Sequence, residues 1–564
     1  MSSTRSLVWG LVSALAMALA GLPAEAAAPS AGSELQLLPP APQPPAKPLP
    51  TLRIAPATAP AVPAPSTLRV TLQSLQLSGQ RVYSEAELRA VSGFEPGREV
   101  GLADMNSMAS RITDFYRNSG YFLAQAYLPA QDIADGSLTI AVLEGQYGAI
   151  TLRPDASLPA ATLAVAHRLL GGLEPGSTVA IAPLERRLLL LSDLPGLDLR
   201  STLAPGASVG ASDLIVDLAP GPRLAGSVDA DNAGSRYSGA NRLGASLSVN
   251  RPLGWGDVAT LRALGAGPGM QYARASWQAQ PGEFKAGLAY SAMRYRLAQE
   301  FESLQADGSA RIASVYASHP LLRSRSANLN LLLNLDSKRL HDNVASTEVV
   351  TDKKASVAML SLTGDLRDAL GGSGASSGSF TWSSGRVDIL SPDALAADAA
   401  AADSSGHFDK LAISLSRQQS LGQALTLVAA FNGQWAAKNL DSSEKMSLGG
   451  AGGVRAYPSG EASGDSGWLL TLEARTALPL PAWGDLGQLQ LAGFVDSGQV
   501  RLNQRPWAPG ANRKALSGAG LGLSWSDNRG WMLKAQVAHK LGPAAATSAP
   551  DASTRFWLQG VSYF

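Results

Sequence analysis

Two serine-containing segments come nearest to a catalytic motif in this chain. Residues 374–378 read Gly-Ala-Ser-Ser-Gly and match the GxSxG pattern, but they lie in a Gly/Ser-rich stretch without the strand, turn and helix that position such a nucleophile. Residues 464–467 read Gly-Asp-Ser-Gly, similar to a serine-protease nucleophile segment, but no histidine lies in a matching motif. We predict that the chain is not an enzyme and has no catalytic residue.

The histidines and cysteines argue against a metal or cofactor site. Cysteine is absent from the sequence, which excludes disulfides and cysteine-ligated zinc. No GxxxxGK[ST] phosphate loop occurs, and 46 basic against 45 acidic side chains give no reason to expect nucleic acid. We therefore predict no metal, no cofactor and no nucleic-acid partner. The five histidines are scattered, without the i, i+4 spacing of a metal-binding pair: His167, His319, His341, His407 and His539.

The first 26 residues have the organisation of a secretory signal peptide. Arg5 supplies a positive charge, residues 7–20 form an uncharged apolar run, and Ala24-Glu25-Ala26 fits a cleavage site. An uncleaved membrane anchor is the alternative, although the apolar run is short for a span. Later in the chain no run of about 18 apolar residues occurs, so a helical membrane protein is not expected. Residues 27–66 are rich in Pro and Ala, which predicts an extended linker.

The next 150 or so residues predict two small α+β units, because short apolar strands alternate with amphipathic helices. In the first unit, residues 67–145, Ser84 and Glu87 form a capping box that opens a helix. Its predicted order is β-α-α-β-β, with strands near 68–75, 121–128 and 138–143. The second unit, residues 146–219, repeats this theme, which indicates one fold used twice. Its helices are predicted over 163–170 and 184–191, and its strands near 150–152, 197–203 and 214–218.

Residues 220–564 change from helical spacing to an alternation of apolar and polar residues, as in 243–249, 489–496 and 531–537. One apolar face and one polar face, repeated over this length, fit a transmembrane antiparallel β-barrel with a wet interior. A soluble array of β-sandwiches would show the same alternation; the signal peptide and a C-terminal aromatic residue, Phe564, favour the membrane barrel. Turns are predicted between the strands, at 254–257, 341–343 and 527–530.

Short motifs in sequence order, spread over about 500 residues, resemble those of one family. This family is the two-partner secretion transporters of the TpsB or ShlB/FhaC/HecB type, within the superfamily of POTRA-bearing outer-membrane barrels. The resemblance implies two POTRA domains, over 67–145 and 146–219, and then a barrel of about 16 strands over 220–564. The motifs outside the pore lie at residues 116–121, 128–131, 144–145, 184–187, 193–196, 205–206, 212–214 and 231–235.

Two further motifs carry most of the resemblance. The first comprises the loop glycines Gly449 and Gly450 and the tip Val454-Arg455-Ala456-Tyr457. It is similar to the family's long loop that folds back into the barrel with a VRGY tip, expected here over about 438–466. Ala456 stands where the family usually has Gly, which adopts positive φ more readily than Ala. The second motif, Phe494, Asp496 and Gly498, is similar to the family's FxDxG strand.

Alternation along the predicted strand places Phe494 and Asp496 on one face and Val495 on the other. If the apolar face meets lipid, Asp496 points into the barrel lumen, where a carboxylate needs a cation. The resemblance implies that Arg455 at the loop tip is this cation, in a shielded and potentially bidentate pair. A solvated loop arginine is the alternative for Arg455.

The resemblance also implies a function. The chain is expected in the outer membrane of a Gram-negative bacterium, with its POTRA domains in the periplasm. There they would bind a secreted TpsA-type exoprotein, which the barrel would pass outward: type V, two-partner secretion of the hemolysin secretion/activation type. An outer-membrane assembly factor of the same superfamily and a passive porin are the alternatives. Outer-membrane lipid and, during biogenesis, the barrel-assembly machinery are the other expected partners.

Two terminal features follow from the same resemblance. A terminal aromatic resembles the signal read by the barrel-assembly machinery, so Phe564 is the expected assembly signal. Members of the family often have a helix before the first POTRA domain that plugs the barrel. Only residues 31–38 could form one here, and Pro39-Pro40 would end it. A helix of about two turns is marginal in isolation, so no stable long plug is expected.

Overall fold

A computed structural model describes residues 28–43, 49–55, 69–133, 135–422, 424–478, 487–527 and 529–564. The predicted signal peptide, residues 1–26, lies outside the described residues, as do residues 44–48 and 56–66 of the predicted linker. None of the helices in these described ranges is long and apolar enough to cross a membrane.

Residues 27–66 are not extended throughout, as the linker prediction had it. In the part that the structure describes, they form a helix, α1 (Ala31–Gln36), and a strand, β1 (Leu52–Ile54). Ser30 begins α1 with a capping box, in which its side chain accepts from the backbone N–H of Ser33 and the Ser33 side chain accepts in return. At six residues, α1 has the short length expected of any plug in this segment.

The first α+β unit has two more strands than predicted. The predicted first strand is divided in two, and an additional strand between the helices pairs with its first half. The capping box is present: the Glu87 carboxylate accepts from the Ser84 backbone N–H at 2.9 Å. Three strands form one sheet in the order β3-β6-β5. The elements are β2 (Arg69–Leu72), β3 (Ser74–Ser78), α2 (Glu85–Ser92), β4 (Arg98–Gly101), α3 (Leu102–Asn118), β5 (Gln125–Tyr127) and β6 (Ser137–Leu143).

The second unit has the predicted order of strands and helices. Its helices bury leucines against a sheet in which β1 is an edge strand, in the order β1-β8-β9-β7. The linker segment therefore contributes a strand to this unit, which no local pattern in residues 52–54 indicated. The elements are β7 (Gln146–Pro154), α4 (Ala160–Leu170), α5 (Ile181–Ser192), β8 (Leu197–Pro205) and β9 (Ala211–Pro220).

The rest of the chain forms a closed antiparallel barrel, with sixteen strands among the described residues. The first eleven are β10 (Leu224–Asp231), β11 (Arg242–Asn250), β12 (Asp257–Ala266), β13 (Met270–Ala279), β14 (Lys285–Arg296), β15 (Ala306–Arg323), β16 (Ala327–Val344), β17 (Val349–Asp368), β18 (Gly374–Ile389), β19 (Gly406–Leu421) and β20 (Leu425–Ala436). A helix, α6 (Pro392–Ala399), lies between β18 and β19. A two-stranded ribbon, β21 (Met446–Ser447) and β22 (Ser463–Gly464), follows β20. The last five barrel strands are β23 (Ser466–Leu478), β24 (Gln488–Arg501), β25 (Arg513–Ser526), β26 (Trp531–Lys540) and β27 (Thr554–Tyr563).

The alternation of the barrel strands has the direction expected for a membrane barrel. On β12, Leu261 is 59% exposed on the outer surface, whereas its neighbour Arg262 is buried in the lumen and binds Asp229 of β10. Apolar side chains therefore face outward and charged ones inward, the reverse of a soluble sandwich.

The turn predicted at 341–343 is wrong, because these residues belong to β16. That strand is 18 residues long and extends past the usual span of about ten.

The second unit is attached to one end of the barrel and so identifies the periplasmic rim. On α5, Arg186 and Arg187 bind Glu283 in the β13–β14 turn, with N–O distances of 2.6 and 2.5 Å. Arg323 at the end of β15 binds Asp193 just after α5, at 2.7 Å. These ion pairs link the unit to two neighbouring turns of the barrel and orient it below the pore.

Helix α1 lies inside the lumen, towards the opposite rim. The backbone N–H of Ala31 donates to Asp342 near the far end of β16, at 2.6 Å. The Glu34 carboxylate accepts from Ser238, and Arg242 donates to the Leu37 carbonyl at 2.8 Å. A helix marginal in isolation is thus held by barrel residues that lie about 200 to 310 positions away in the sequence.

Candidate functional site: the inward loop and the barrel wall

The wall of the site is the stretch of β24 that carries the FxDxG motif. Phe494 and Asp496 are buried on the lumen side, with 4% and 0% of their surface exposed, whereas Val495 between them is 46% exposed on the outer surface. The alternation of a strand therefore places Asp496 in the pore, as its sequence neighbours predicted.

The residues between β20 and β23 fold back into the lumen and bring the VRAY tip to this wall. Val454, Ala456 and Tyr457 are fully buried. The tip is a compact turn, closed by hydrogen bonds from the Val454 N–H to the Leu448 carbonyl at 2.7 Å and from the Gly450 N–H to the Tyr457 carbonyl at 3.1 Å. The loop thus presents a preformed tip, here called the loop tip (residues 448–461).

Arg455 of the loop tip forms a bidentate ion pair with Asp496. Nε donates to Oδ2 and Nη2 to Oδ1, both at 2.8 Å, and the Arg455 backbone N–H adds a third bond to Oδ2 at 3.1 Å. Thr471 on β23 donates to the same carboxylate at 3.0 Å. With Arg455 only 4% exposed, this is a buried pair whose hydrogen-bonding groups are satisfied.

Three further groups position Arg455. Its guanidinium carbon lies 3.3 Å from the centre of the Phe494 ring, a cation–π contact that explains the aromatic residue of the wall motif. Glu473 on β23 lies 3.4 Å from Nη1. Trp557 on β27 donates its indole N–H to the Arg455 carbonyl at 2.7 Å. Arg455 therefore contacts three separate strands of the wall, which sequence reasoning did not foresee.

Glycines in the wall make room for the loop tip. A Cβ at Gly498, the last residue of the wall motif, would lie 2.9 Å from the Leu448 side chain. A Cβ at Gly518 of β25 would lie 2.5 Å from the Ala456 Cβ. Ala456 does not have positive φ, so the alanine that replaces the usual glycine is unstrained and is accommodated by a glycine opposite. The loop glycines have a similar role, since Gly450 has φ +116° and a Cβ at Gly449 would meet the Pro458 carbonyl at 2.3 Å.

A second cluster, around Glu461, holds the other end of the loop tip. Its fully buried carboxylate pairs with Lys514 on β25 and accepts from the backbone N–H groups of Thr547 and Ser548, at 2.8 and 2.9 Å. Tyr457 donates to the Ala544 carbonyl at 3.0 Å, in the same loop between β26 and β27. Nothing local in the sequence indicated these partners of Glu461.

Phe564 lies outside the pore, at the seam where the barrel closes. Its backbone exchanges hydrogen bonds with Gly226 of β10, at 2.8 and 3.0 Å, so that the last residue extends the β10–β27 ladder. Its ring is 69% exposed, on the same outer face as Phe556 and Leu558. The structure therefore separates Phe564 from the loop-tip residues.

The two serine-containing segments, residues 374–378 and 464–467, belong to the barrel strands and the contacts beside them. Residues 374–378 begin strand β18 and pair with β17 and β19. Asp465 of the second segment is buried against Lys445, and the Ser466 side chain accepts from the Ala436 N–H. Within the described ranges, no group of three or more His, Asp or Glu side chains could hold a metal ion.

Comparisons with known proteins agree with this architecture. The family model for the haemolysin secretion/activation protein ShlB/FhaC/HecB matches residues 210–525, and that for the ShlB-type POTRA domain matches residues 70–145. The heme/hemopexin transporter protein HuxB of Haemophilus influenzae (strain 86-028NP) is 27% identical over 499 residues, covering 87% of this chain and 86% of HuxB. The outer membrane transporter CdiB of Dickeya dadantii (strain 3937) is 23% identical over 445 residues, 76% of each chain.

Solved structures show the same fold. CdiB from Escherichia coli superposes with a TM-score of 0.70 at 21% identity, covering 90% of this chain and 93% of that one. BamA from Haemophilus ducreyi lacking POTRA domains 1–3 reaches 0.51 at 13% identity, over 88% and 100% of the two chains. Since the family model covers more than half of the sequence, including the inward loop and most of the barrel, the chain belongs to the haemolysin secretion/activation protein family ShlB/FhaC/HecB, the outer-membrane transporters of two-partner secretion.

Proposed function

We propose that the protein recognises one partner exoprotein in the periplasm through its two α+β units and passes it outward through the barrel. The observation that carries this proposal is a closed barrel whose lumen is filled by its own loop and helix, above a unit docked on the periplasmic rim. A conduit for a polypeptide needs such internal parts, because the pore must be closed at rest and able to widen.

Within the barrel, the loop tip is the part to which we assign a role in export. Arg455 and Asp496 hold it at the wall, and Val454, Ala456 and Tyr457 fill the space around the pair. Gly449, Gly450 and Gly498 allow the close packing. In this proposal the pair defines the export-competent position of the loop, and the units below it deliver an extended chain by strand addition.

Biogenesis is a separate part of the proposal. The exposed ring of Phe564 beside the β10–β27 seam is available to the barrel-assembly machinery before the barrel closes. The outward-facing apolar side chains of the strands then contact outer-membrane lipid.

Deleting the gene and restoring it on a plasmid tests the function. The partner is expected to accumulate in the periplasm of the deleted strain and to return to the medium on complementation, while unrelated outer-membrane proteins keep their levels. A general loss of other barrels would instead indicate an assembly factor. Normal partner export with impaired uptake of small solutes would indicate a porin.

A further inference from the structure

Three basic side chains lie side by side on the outer surface of the barrel. Arg311 on β15 is opposite Arg339 on β16, and Arg339 is opposite Lys354 on β17. All three residues are exposed. Residues next to them in the chain, such as Leu340 and Ala355, are buried on the lumen side, so the alternation of the strands directs the three side chains outward. We call these three residues the basic row.

The basic row is unfavourable for the chain by itself. Residues directly opposite each other on neighbouring strands have Cβ atoms about 5 Å apart, and like charges at this separation destabilise a sheet. Among the described residues, none forms an ion pair or a side-chain hydrogen bond with any member of the row, and the nearby carboxylates have other partners. Asp388, opposite Lys354, binds Arg386 at 2.7 Å, and Asp352 binds His341 at 2.8 Å. The row therefore lacks counter-charges from its own chain.

The basic row lies at the upper border of the apolar outer surface. On β16, Leu329, Leu333 and Leu335 are exposed below Arg339. Ten residues of strand separate Leu329, near the periplasmic end, from Arg339. At about 3.3 Å per residue and a tilt of about 40°, they rise roughly 25 Å, which is the height of the apolar band of a membrane barrel. The row is thus level with the headgroups of the outer leaflet.

The strands beside β16 have the same arrangement. The exposed apolar residues at these heights on β14, β15, β17 and β18 are Tyr290, Val315, Leu360, Leu362, Phe380 and Trp382. A molecule that contacts both the row and the surface below it therefore needs an anionic head and apolar tails.

An open pocket of about 490 Å³ adjoins the basic row at Arg311. Its lining includes two exposed arginines of β14, Arg294 and Arg296, and Asp307, whose carboxylate accepts from the Asn343 side chain at 3.1 Å. Positive charge therefore continues from the row on to the neighbouring strand, and the pocket leaves space for a headgroup larger than one phosphate.

Phosphate is the anion that suits this surface. A guanidinium donates two parallel hydrogen bonds to a phosphate group, and a lysine ammonium adds a point charge. Lipopolysaccharide, the glycolipid of the outer leaflet in a Gram-negative outer membrane, carries phosphate groups at the border between its acyl chains and its sugars. That border coincides with the height of the basic row.

We propose that Arg311, Arg339 and Lys354 bind the phosphate groups of a lipopolysaccharide molecule, whose acyl chains lie against the apolar residues below. The site is on the outside of the barrel, separate from the loop tip and from the periplasmic units. Its occupancy depends on neither the exported partner nor the proposed function.

Binding of lipid A, the phosphorylated lipid part of lipopolysaccharide, tests the proposal. The purified full-length protein is titrated with lipid A in detergent, and bound lipid is counted by native mass spectrometry. The variant R311Q/R339Q/K354Q removes the charges of the row. The matched control R69Q/R153Q/R200Q removes three exposed arginines from the periplasmic units and changes the net charge equally.

We expect the row variant to bind lipid A on the order of a hundredfold more weakly, because each basic side chain near an anionic lipid surface contributes about a factor of five. The control should bind like the wild type. A loss of less than tenfold in the row variant overturns the proposal, as does an equal loss in the control. Displacement of lipid A from the wild type by inorganic phosphate at the same concentration also overturns it, since the ligand would then be a free anion.

A second measurement does not depend on the folding of the row variant. The temperature at which the heat-modifiable barrel unfolds is determined for the wild type with lipid A and with the same lipid after removal of both phosphates. Lipid A should raise this temperature, because a ligand of the folded state stabilises it, and the dephosphorylated lipid should not. The charge-conserving variant R311K/R339K should keep the increase. Equal increases with the two lipids overturn the role of phosphate, and loss of the increase in R311K/R339K overturns recognition by charge.

Discussion

Removing either member of the Arg455–Asp496 pair is expected to stop export without damaging the barrel. In Arg455→Ala, Asp496 keeps the bond from Thr471 but loses its cation; in Asp496→Ala, the guanidinium keeps only Phe494 and, at 3.4 Å, Glu473. Breaking a buried pair by removing one partner costs about 3–5 kcal/mol. This penalty destabilises the docked position of the loop tip and not the barrel, because the substitutions leave the outer face of the barrel and the periplasmic units unchanged.

The size of the effect follows from that penalty. A change of about 3–5 kcal/mol shifts the equilibrium between the docked and undocked loop by roughly two to three and a half powers of ten. The Glu461 cluster still holds the other end of the loop tip, so the loop stays in the lumen but leaves its position at the wall. We therefore expect each single variant to export less than a tenth of the wild-type amount of partner.

The assay is secreted partner per unit of outer-membrane transporter, for both single variants and the double variant. The double variant is expected to be little worse than either single one, because the two residues act as a unit. Arg386→Ala is the matched control: it removes another arginine from an ion pair, with Asp388, but one in which Arg386 is 66% exposed. Such surface pairs contribute about 0–1 kcal/mol, so export should be unchanged.

Two results would refute this reasoning. Wild-type export in either single variant would mean that the pair does not set the export-competent position of the loop. Independent losses that multiply in the double variant would mean that the two residues act through different partners. A different outcome is a smaller amount of heat-modifiable barrel in the outer membrane together with normal export per transporter. That outcome would mean that the pair acts in the folding of the barrel.

Three further outcomes are expected. Gly518→Val should reduce export at least tenfold because its side chain meets Ala456, and Ala456→Gly should restore part of it; no rescue would contradict the contact. Deletion of Phe564 should lower the amount of heat-modifiable barrel in the outer membrane several-fold, and an unchanged amount would count against an assembly signal. The pKa of Glu283 is lowered mainly by the hydrogen bond from Arg186. Docking of the second unit is thus complete above the ordinary carboxyl pKa and weakens as pH falls through the lowered value. Hydrogen exchange of residues at the rim should show this pH dependence, and Glu283→Gln should abolish the pH dependence.

The sequence by itself determined the type of each segment, because those signals are local. Alternation over residues 220–564 predicts a barrel, since facing lipid on one side and water on the other imposes a period of two. The capping box of Ser84 and Glu87 predicts a helix start within four residues of chain. The same period placed Asp496 in the pore, and the resemblance named Arg455 as its partner.

Only the tertiary structure decided what lies opposite what. Residues 31–36 and 52–54 have a linker's composition, and they become a helix and a strand because barrel and sheet residues far away in the sequence hold them. Gly518 opposite Ala456, and the partners of Glu461, are likewise contacts between segments about 50 to 90 residues apart. Contacts of this kind depend on barrel closure and on loop entry into the lumen. A local pattern of residue types does not indicate barrel closure or loop entry, so only the structure could identify these contacts.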